Sequence, residues 1–201
     1  MSNPLIIFDF DDTLCPSDWL KGRSRRFSVG LADDFIAIIE SLRSLLRLSC
    51  DKGKTVVVTN AQPGWVELVS ETHMKGFLSL LSEFRIDLVY ARQFSKDKDP
   101  TEWKIAAISS VLAGLRAPPS EVISFGDQPG DHQAAIRALC LHLDKHKIAS
   151  HSVPLKCVKF AENPSPSRLL NQLEIVSKCF DRIVKSDKSF IVDTSNMFAV
   201  I

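Results

Sequence analysis

The sequence has almost no excess of charge of either sign. Lys and Arg number 25 against 24 Asp and Glu, a formal net charge of +1. Without a field of one sign, composition gives no case for nucleic-acid or anionic-membrane binding. No apolar run approaches the roughly 20 residues that a membrane-spanning helix needs. Residues 1–8 carry neither the basic start nor the long apolar stretch of a secretory leader. Paired cysteines are missing as well: Cys15, Cys50, Cys140, Cys157 and Cys179 are five, widely spaced, with no C-x-x-C among them. That pattern argues against a disulfide framework and against a zinc site, so a reducing, cytoplasmic compartment is expected. No internal repeat and no low-complexity segment is visible.

What is present is a chain of 201 residues, 45% of them apolar, enough for one compact domain spanning 1–201. The richest stretch is 5–14, Leu-Ile-Ile-Phe-Asp-Phe-Asp-Asp-Thr-Leu. Leu5 to Phe8 read as a buried strand. Asp9, Asp11 and Asp12 follow at once. Carboxylates crowded at the end of a strand repel one another and need a metal ion or a shared proton. Taken alone, the same residues also fit a solvated acidic turn.

Strands and helices then alternate. The stripe Leu31, Phe35, Ile38/Ile39, Leu42, Leu45/Leu46 predicts a helix over 31–50, stopping near Gly53. Thr55 to Thr59 is a second buried strand, ending at Thr59 and Asn60. A Thr hydroxyl and free backbone N–H groups at a strand end before a helix form an oxyanion cradle. Residues 65–84 read as helix broken near Gly76, and 86–91 as a third strand. Asp99 and Pro100 fit the N-cap and first position of the next helix. Lys104 falls in its first turn, where a cation is unfavourable for the helix dipole and so invites an explanation; Lys96 and Lys98 are the fallback cations. Val122 to Phe125 is a fourth strand, running into Gly126-Asp127-Gln128-Pro129-Gly130-Asp131. Gly126 permits a tight turn and Pro129 starts a helix. A fifth strand lies within 153–160, and Asn163 to Ser167 cap a helix striped by Leu169/Leu170, Leu173, Val176 and Phe180. The last stretch fits either a hairpin, 190–193 and 197–200, or one irregular edge strand. The alternation predicts an α/β fold, doubly wound, with a mostly parallel sheet whose polar strand ends converge at one edge.

Two further features read either way. Lys21, Arg23, Arg25 and Arg26, interleaved with Trp19 and Phe27, form a basic loop that is either simply solvated or flanks a site mouth and attracts an anion. His142, His146 and His151 suggest a metal site, but no third ligand has a compelling spacing, and His and Lys suit a helix C-terminus. The chain stops at Met197-Phe198-Ala199-Val200-Ile201 without a polar tail, which leads to the expectation that the natural protein continues.

Asp9-Phe10-Asp11-Asp12-Thr13 resembles the D-x-D-x-T motif of the haloacid dehalogenase-like (HAD) hydrolase superfamily. Thr59 after the second strand resembles its second motif, Lys104 the third, and Gly126 to Asp131 the G-D-x-x-x-D of the fourth. The resemblance spans roughly residues 5–180 with all four motifs in order. It implies a Rossmann-like core. The gaps after the first two motifs leave no room for a large cap, so the chain is similar to the capless members, which tend to act on macromolecules such as phosphoproteins.

By that resemblance, Asp9 is the nucleophile that forms an aspartyl-phosphate, and Asp11 the general acid and then base. A carboxylate at Asp11 favours phosphoryl transfer over dehalogenation. Mg2+ is held by the Asp9 carboxylate, the Asp11 backbone carbonyl and Asp127, while Asp131 orients a water or Lys104. Thr59, the Asn60 backbone and Lys104 neutralise the transferring phosphoryl group. The expected function is a magnesium-dependent phosphatase of phosphoproteins, leaning to phosphotyrosine because Trp19, Phe27 and Trp65 offer an aromatic mouth. The alternatives are a sugar or nucleotide phosphatase and, more distantly, a non-catalytic phosphate-binding module. Relatives of this type also occur among proteins that pathogens deliver into host cells.

Overall fold

The computed structural model describes residues 3–22, 29–96 and 99–197. Six strands form one sheet: β1 (Leu5–Phe8), β2 (Lys54–Thr59), β3 (Asp87–Tyr90), β4 (Val122–Gly126), β5 (Leu155–Lys159) and β6 (Phe190–Asp193). Their order is β3-β2-β1-β4-β5-β6, and every neighbouring pair is parallel. Parallel pairing requires a crossover over one face or the other. The helices that supply it are α1 (Ser17–Lys21), α2 (Val29–Lys52), α3 (Trp65–Thr72), α4 (Phe77–Glu83), α5 (Pro100–Ala113), α6 (Pro129–His146) and α7 (Pro166–Lys185).

The period-2 alternation of the strands sorts the core into two layers. Ile6, Phe8, Val57, Ile123 and Phe125 face one side, where α2, α3, α4 and α7 cover them. Leu5, Ile7, Val56, Val58 and Val122 face the other, under α5 and α6. This is why β1 reads as an unbroken apolar run: all four of its residues are buried. On the first face Phe8 stacks on Phe125 at 4.6 Å between ring centroids, and Phe125 on Phe180 at 6.2 Å. On the second face α6 presents Ala134, Ala135 and Ala138, which lets α5 and α6 pack closely. The expected doubly wound α/β fold is therefore present, with no cap domain among the described residues.

Several elements differ from the sequence reading. The 15–30 connection contains α1, and α2 begins at Val29 rather than 31. Leu31 contributes to its stripe in sequence, but its side chain lies outside the described residues, as do Arg23, Arg25, Arg26, Phe27, Lys98 and residues 198–201. The break near Gly76 is where expected: Gly76 has φ +97°, a left-handed conformation costly for other residues, and separates α3 from α4. The last strand, β6, is an edge strand of the sheet, and the second hairpin arm expected at 197–200 lies, beyond Met197, outside the described residues. β6 lies parallel to β5, from Lys156 opposite Phe190 to Lys159 opposite Asp193, because α7 carries the chain back across the sheet before it starts. A short 3-10 turn, Thr194–Asn196, follows it. No helix among the described residues is long and apolar enough to cross a membrane.

Candidate active site

β1 is central, with β2 and β4 on either side, so the carboxyl ends of these three strands meet at one point of the sheet edge. Asp9 is the first residue beyond β1, and its N–H continues the ladder to the Phe125 carbonyl at 2.9 Å. The chain then turns sharply. The Leu14 and Cys15 N–H groups both return to the Phe10 carbonyl, at 2.9 and 3.0 Å. Asp12 takes φ +56°, a left-handed value that Asp tolerates better than most residues. Its buried carboxylate accepts the Asp18 N–H at 3.1 Å, which ties α1 to the turn. Burial pushes Asp12 up to about 6. Asp12 thus braces the turn, and together with Asp9, Asp11 and Asp18 it walls a small cavity of about 160 Å³.

Lys104 enters that cavity from α5. The helix begins as expected, at Pro100 with Asp99 as N-cap, which makes Lys104 its fifth residue, just past the first turn. Its side chain is buried, and its ammonium donates to Asp9 Oδ1 and Asp131 Oδ1, each at 2.5 Å. Burial by itself lowers the Lys104 pKa. The charges of Asp131 and Asp9 outweigh that and raise it, so the ammonium stays protonated. Lys96, the described fallback, is exposed.

Asp131 is held on its other side too. Its Oδ2 accepts the Gln128 N–H at 3.1 Å, at the start of α6. The room for this carboxylate comes from Gly126. A Cβ on Gly126 would stand 2.5 Å from Asp131 Oδ2 and 2.6 Å from its Cβ. Gly126 therefore serves close approach rather than the tight turn its sequence position suggests. Asp127 follows, buried, with Oδ2 accepting the Gln128 side-chain amide at 2.7 Å.

Asp9, Asp127 and Asp131 each offer a carboxylate oxygen, all within 4.8 Å of one another. Burial raises Asp9 well above the usual carboxylate range, Lys104 opposes this, and Asp131 adds to it. Burial likewise pushes Asp127 up to about 7, opposed by the Gln128 amide and reinforced by the Asp131 charge. Three carboxylates share one ammonium here, which leaves two negative charges without a partner once all are ionised. A buried set of hard oxygen donors with that imbalance fits a divalent cation such as Mg2+. Asp9 and Asp127 are the residues best placed to hold it. Both oxygens of Asp131 already accept hydrogen bonds, so Asp131 acts first as the support of Lys104.

Asp11 stands apart from this cluster. Its Oδ2 accepts from the Thr59 hydroxyl at 3.3 Å, and its Oδ1 from the Trp65 indole Nε1–H at 2.9 Å. The Thr59 hydroxyl in turn accepts the Ala61 N–H at 3.0 Å. Thr59, expected to face a phosphoryl group, is thus turned onto Asp11. The Asn60 carbonyl accepts Arg92 Nε–H at 2.6 Å, and its buried side-chain Oδ1 has no partner among the described residues. Asp11 and Asn60 also border a second, larger cavity of about 560 Å³, whose wall includes Lys21, Trp65, Leu68 and Arg92. Asp11 therefore sits between a small polar pocket and a wider, more apolar mouth.

The sequence reading brings Asp9, Asp11, Asn60, Lys104, Asp127 and Asp131 to the small cavity, with Thr59 directly behind. It misses Gln128 and Arg92, and it assigns Trp65 to aryl stacking rather than to Asp11. Trp19, also expected at the mouth, packs on Phe35 at the rim of the core, with ring centroids 6.5 Å apart. Lys21 does reach the mouth, 5.6 Å from the Trp65 ring centroid, but is paired with Asp18 at 2.8 Å. The His142 and His146 rings lie 4.5 Å apart at the end of α6, and neither belongs to a metal-ligating group among the described residues.

No protein-family model matches this chain, and no curated protein matches it. Among solved structures, a crystal structure of the Legionella pneumophila effector Ceg4, carrying an N-terminal TEV protease cleavage sequence, superposes with a TM-score of 0.48 at 13% sequence identity, over 87% of this chain and 94% of that one.

Proposed function

We propose that this chain is a magnesium-dependent phosphatase of the HAD-like type that works through an aspartyl-phosphate on Asp9. The observation that carries the reading is the placement of Asp11 on the border between the two cavities, with Asp9 and Lys104 in the inner one. A phosphoryl group in the inner pocket meets the Asp9 carboxylate, while the oxygen it leaves behind lies toward Asp11 and the mouth.

In the first half-reaction an Asp9 oxygen forms a bond to phosphorus as the ester P–O bond breaks. The departing oxygen takes the proton of the Asp11 carboxyl. In the second, a water oxygen attacks the same phosphorus, Asp11 takes the proton that water loses, and the Asp9 carboxylate is released with inorganic phosphate. The Lys104 ammonium, fixed by Asp131, keeps Asp9 oriented and supplies positive charge beside the phosphoryl oxygens. The Asp9 and Asp127 carboxylates, with the Asp11 backbone carbonyl, would hold magnesium, which would supply the remaining charge neutralisation.

The substrate class that best suits the mouth is an aryl phosphate on a protein, phosphotyrosine above all. Pro63, Trp65 and Leu68 give the outer cavity an apolar side of aryl size, and no cap closes over it among the described residues.

The test is a panel of phosphotyrosine, phosphoserine and phosphothreonine peptides beside common phosphometabolites, each with magnesium, with chelator and with Asp9→Asn. The expected result is magnesium-dependent turnover, fastest on phosphotyrosine and abolished by Asp9→Asn. Substantial turnover by Asp9→Asn, with deamidation excluded by mass, refutes the nucleophile. Preference for one metabolite refutes the substrate class.

A further inference from the structure

Both oxygens of the Asp11 carboxylate are held by side chains more than forty residues away in sequence. Thr59 Oγ1 donates to one and Trp65 Nε1 to the other. An indole N–H is a donor only, with a single direction. Its 2.9 Å bond therefore fixes where Oδ1 points as well as how far it can move.

The indole is itself fixed. Trp65 is the first residue of α3, and its own N–H returns to the Gln62 carbonyl at 3.0 Å. Two residues on, the Tyr90 hydroxyl at the end of β3 donates to the Glu67 carboxylate, which ties the start of α3 to the sheet. Arg92 holds the Asn60 carbonyl at the other end of the same loop. The ring forms part of the outer cavity wall, with Asp11 at the inner end of that cavity.

We propose, on the phosphatase reading above, that Trp65 is a positioning residue for proton transfer to the leaving group. Its indole N–H aims the Asp11 carboxyl at the boundary of the two cavities. As the P–O bond breaks, the Asp11 proton passes to the departing oxygen, and Asp11 becomes a carboxylate. Hydrogen bonds to a charged acceptor are stronger than those to a neutral one, so the Trp65 donor binds Asp11 more tightly in that transition state than before it. The gain matters in proportion to how much the leaving oxygen needs the proton. An alkyl or phenyl oxygen needs it greatly; a dinitrophenolate leaves unaided.

The experiment uses Trp65→Phe, which keeps an aromatic ring in the wall and removes the N–H. Steady-state rates are measured on alkyl, phenyl, 4-nitrophenyl and 2,4-dinitrophenyl phosphates. The expected loss in kcat/KM, which ends at the first half-reaction and so excludes the aspartyl-phosphate hydrolysis common to all four esters, is about tenfold or more on the phenyl and alkyl esters, shrinking to less than about threefold on the dinitrophenyl ester. Competitive inhibition by inorganic phosphate should be unchanged. An equal loss on every ester, or none on any, overturns the proposal, because a merely structural role does not distinguish leaving groups.

A second measurement does not depend on turnover. In a 1H–15N spectrum the Trp65 indole N–H resonance, identified by its disappearance in Trp65→Phe, should move upfield in Asp11→Ala. A resonance that stays in place means that the bond is absent and overturns the proposal outright. If the resonance moves but the wild-type protein hydrolyses none of the esters, the phosphatase reading has failed and takes the role of Trp65 with it, while the bond stands.

Discussion

Replacing Gly126 by alanine adds one methyl group at the tightest point of the site. The new Cβ would stand 2.5 Å from Asp131 Oδ2 and 2.6 Å from Asp131 Cβ. An ordinary contact needs about 3.5–4 Å between carbon atoms, so one side has to move by roughly 1 Å. Gly126 is poorly free to yield. It closes β4, pairs with Lys159 on β5, and its carbonyl accepts the Phe160 N–H at 2.8 Å. The movement therefore falls on Asp131, which loses alignment with both Lys104 and the Gln128 N–H. Overpacking a core position costs about 1–3 kcal/mol, and a hydrogen bond to a charged group contributes about 1.5–3 kcal/mol. Partial relaxation keeps the sum near 2–4 kcal/mol, an expected fall in Tm of about 5–15 °C for a chain of this size.

The neighbouring Gly130→Ala is the matched control. Its Cβ would meet only Thr101 Oγ1, at 3.3 Å, a side-chain atom that can shift. The position is the second residue of α6, where the roughly 0.8–1.0 kcal/mol by which Ala exceeds Gly in a helix interior is an upper bound on the gain. Urea unfolding of both variants measures the difference. A third variant isolates the cause: in an Asp131→Gly background the clash has no partner, and Gly126→Ala should then cost less than about 1 kcal/mol. A Gly126→Ala protein within about 0.5 kcal/mol of wild type, or an undiminished cost when residue 131 is glycine, would refute the reasoning.

Other expectations follow from burial and charge. In chelator, the folded protein retains protons on Asp127 (about 7) and Asp12 (about 6), both raised by burial, that the unfolded chain has released by about pH 5. Stability is therefore greatest at low pH within this window and falls as pH rises through 6–7; Asp127 alone sets a ceiling of about 4 kcal/mol at about 1.4 kcal/mol per tenfold change in proton affinity. Thermal unfolding at pH 5 and pH 8 reads the sign, and a metal-free protein more stable at pH 8 contradicts it. At the opposite end of the sheet, buried Lys156 donates to Glu121 and to the Val184 carbonyl. Lys156→Ala should cost about 3–5 kcal/mol by stranding Glu121, and the double change Lys156→Met with Glu121→Leu should recover most of it; equal losses in single and double variants would show that the pair is not what matters. Phe8→Ala, removing a fully buried ring stacked on Phe125, should cost about 3–5 kcal/mol in denaturant unfolding while leaving the secondary structure intact.

The sequence carried the parts of the site that depend on local order. An apolar strand followed at once by Asp9 announces a carboxylate at a sheet edge, and Pro129 after Asp127 announces a helix starting beside it. What it did not carry are contacts between distant residues. Nothing in Pro63-Gly64-Trp65 says that the indole reaches Asp11, because that meeting depends on β2 lying next to β1 and on how α3 leaves the sheet. Gly126 was legible as a necessary glycine but for the wrong reason, since the intruding group belongs to the following helix. The direction of β6 was hidden because a four-residue apolar segment has the same pattern in either orientation. Only the crossover by α7 decides it.

The alanines of α6 bear on how such a site tolerates change. Ala134, Ala135 and Ala138 have no chemistry to offer, yet their small size lets α6 settle against α5 and the sheet, so that Asp131 and Lys104 meet at 2.5 Å. The tolerance of the ion pair is thus written partly in residues that a search for reactive groups would pass over. A bulkier side chain at Ala138 acts as a wedge two turns from the pair, opening it without touching any charged atom. For a lineage carrying this fold, drift at those silent positions would erode the site as surely as loss of an aspartate, and more gradually.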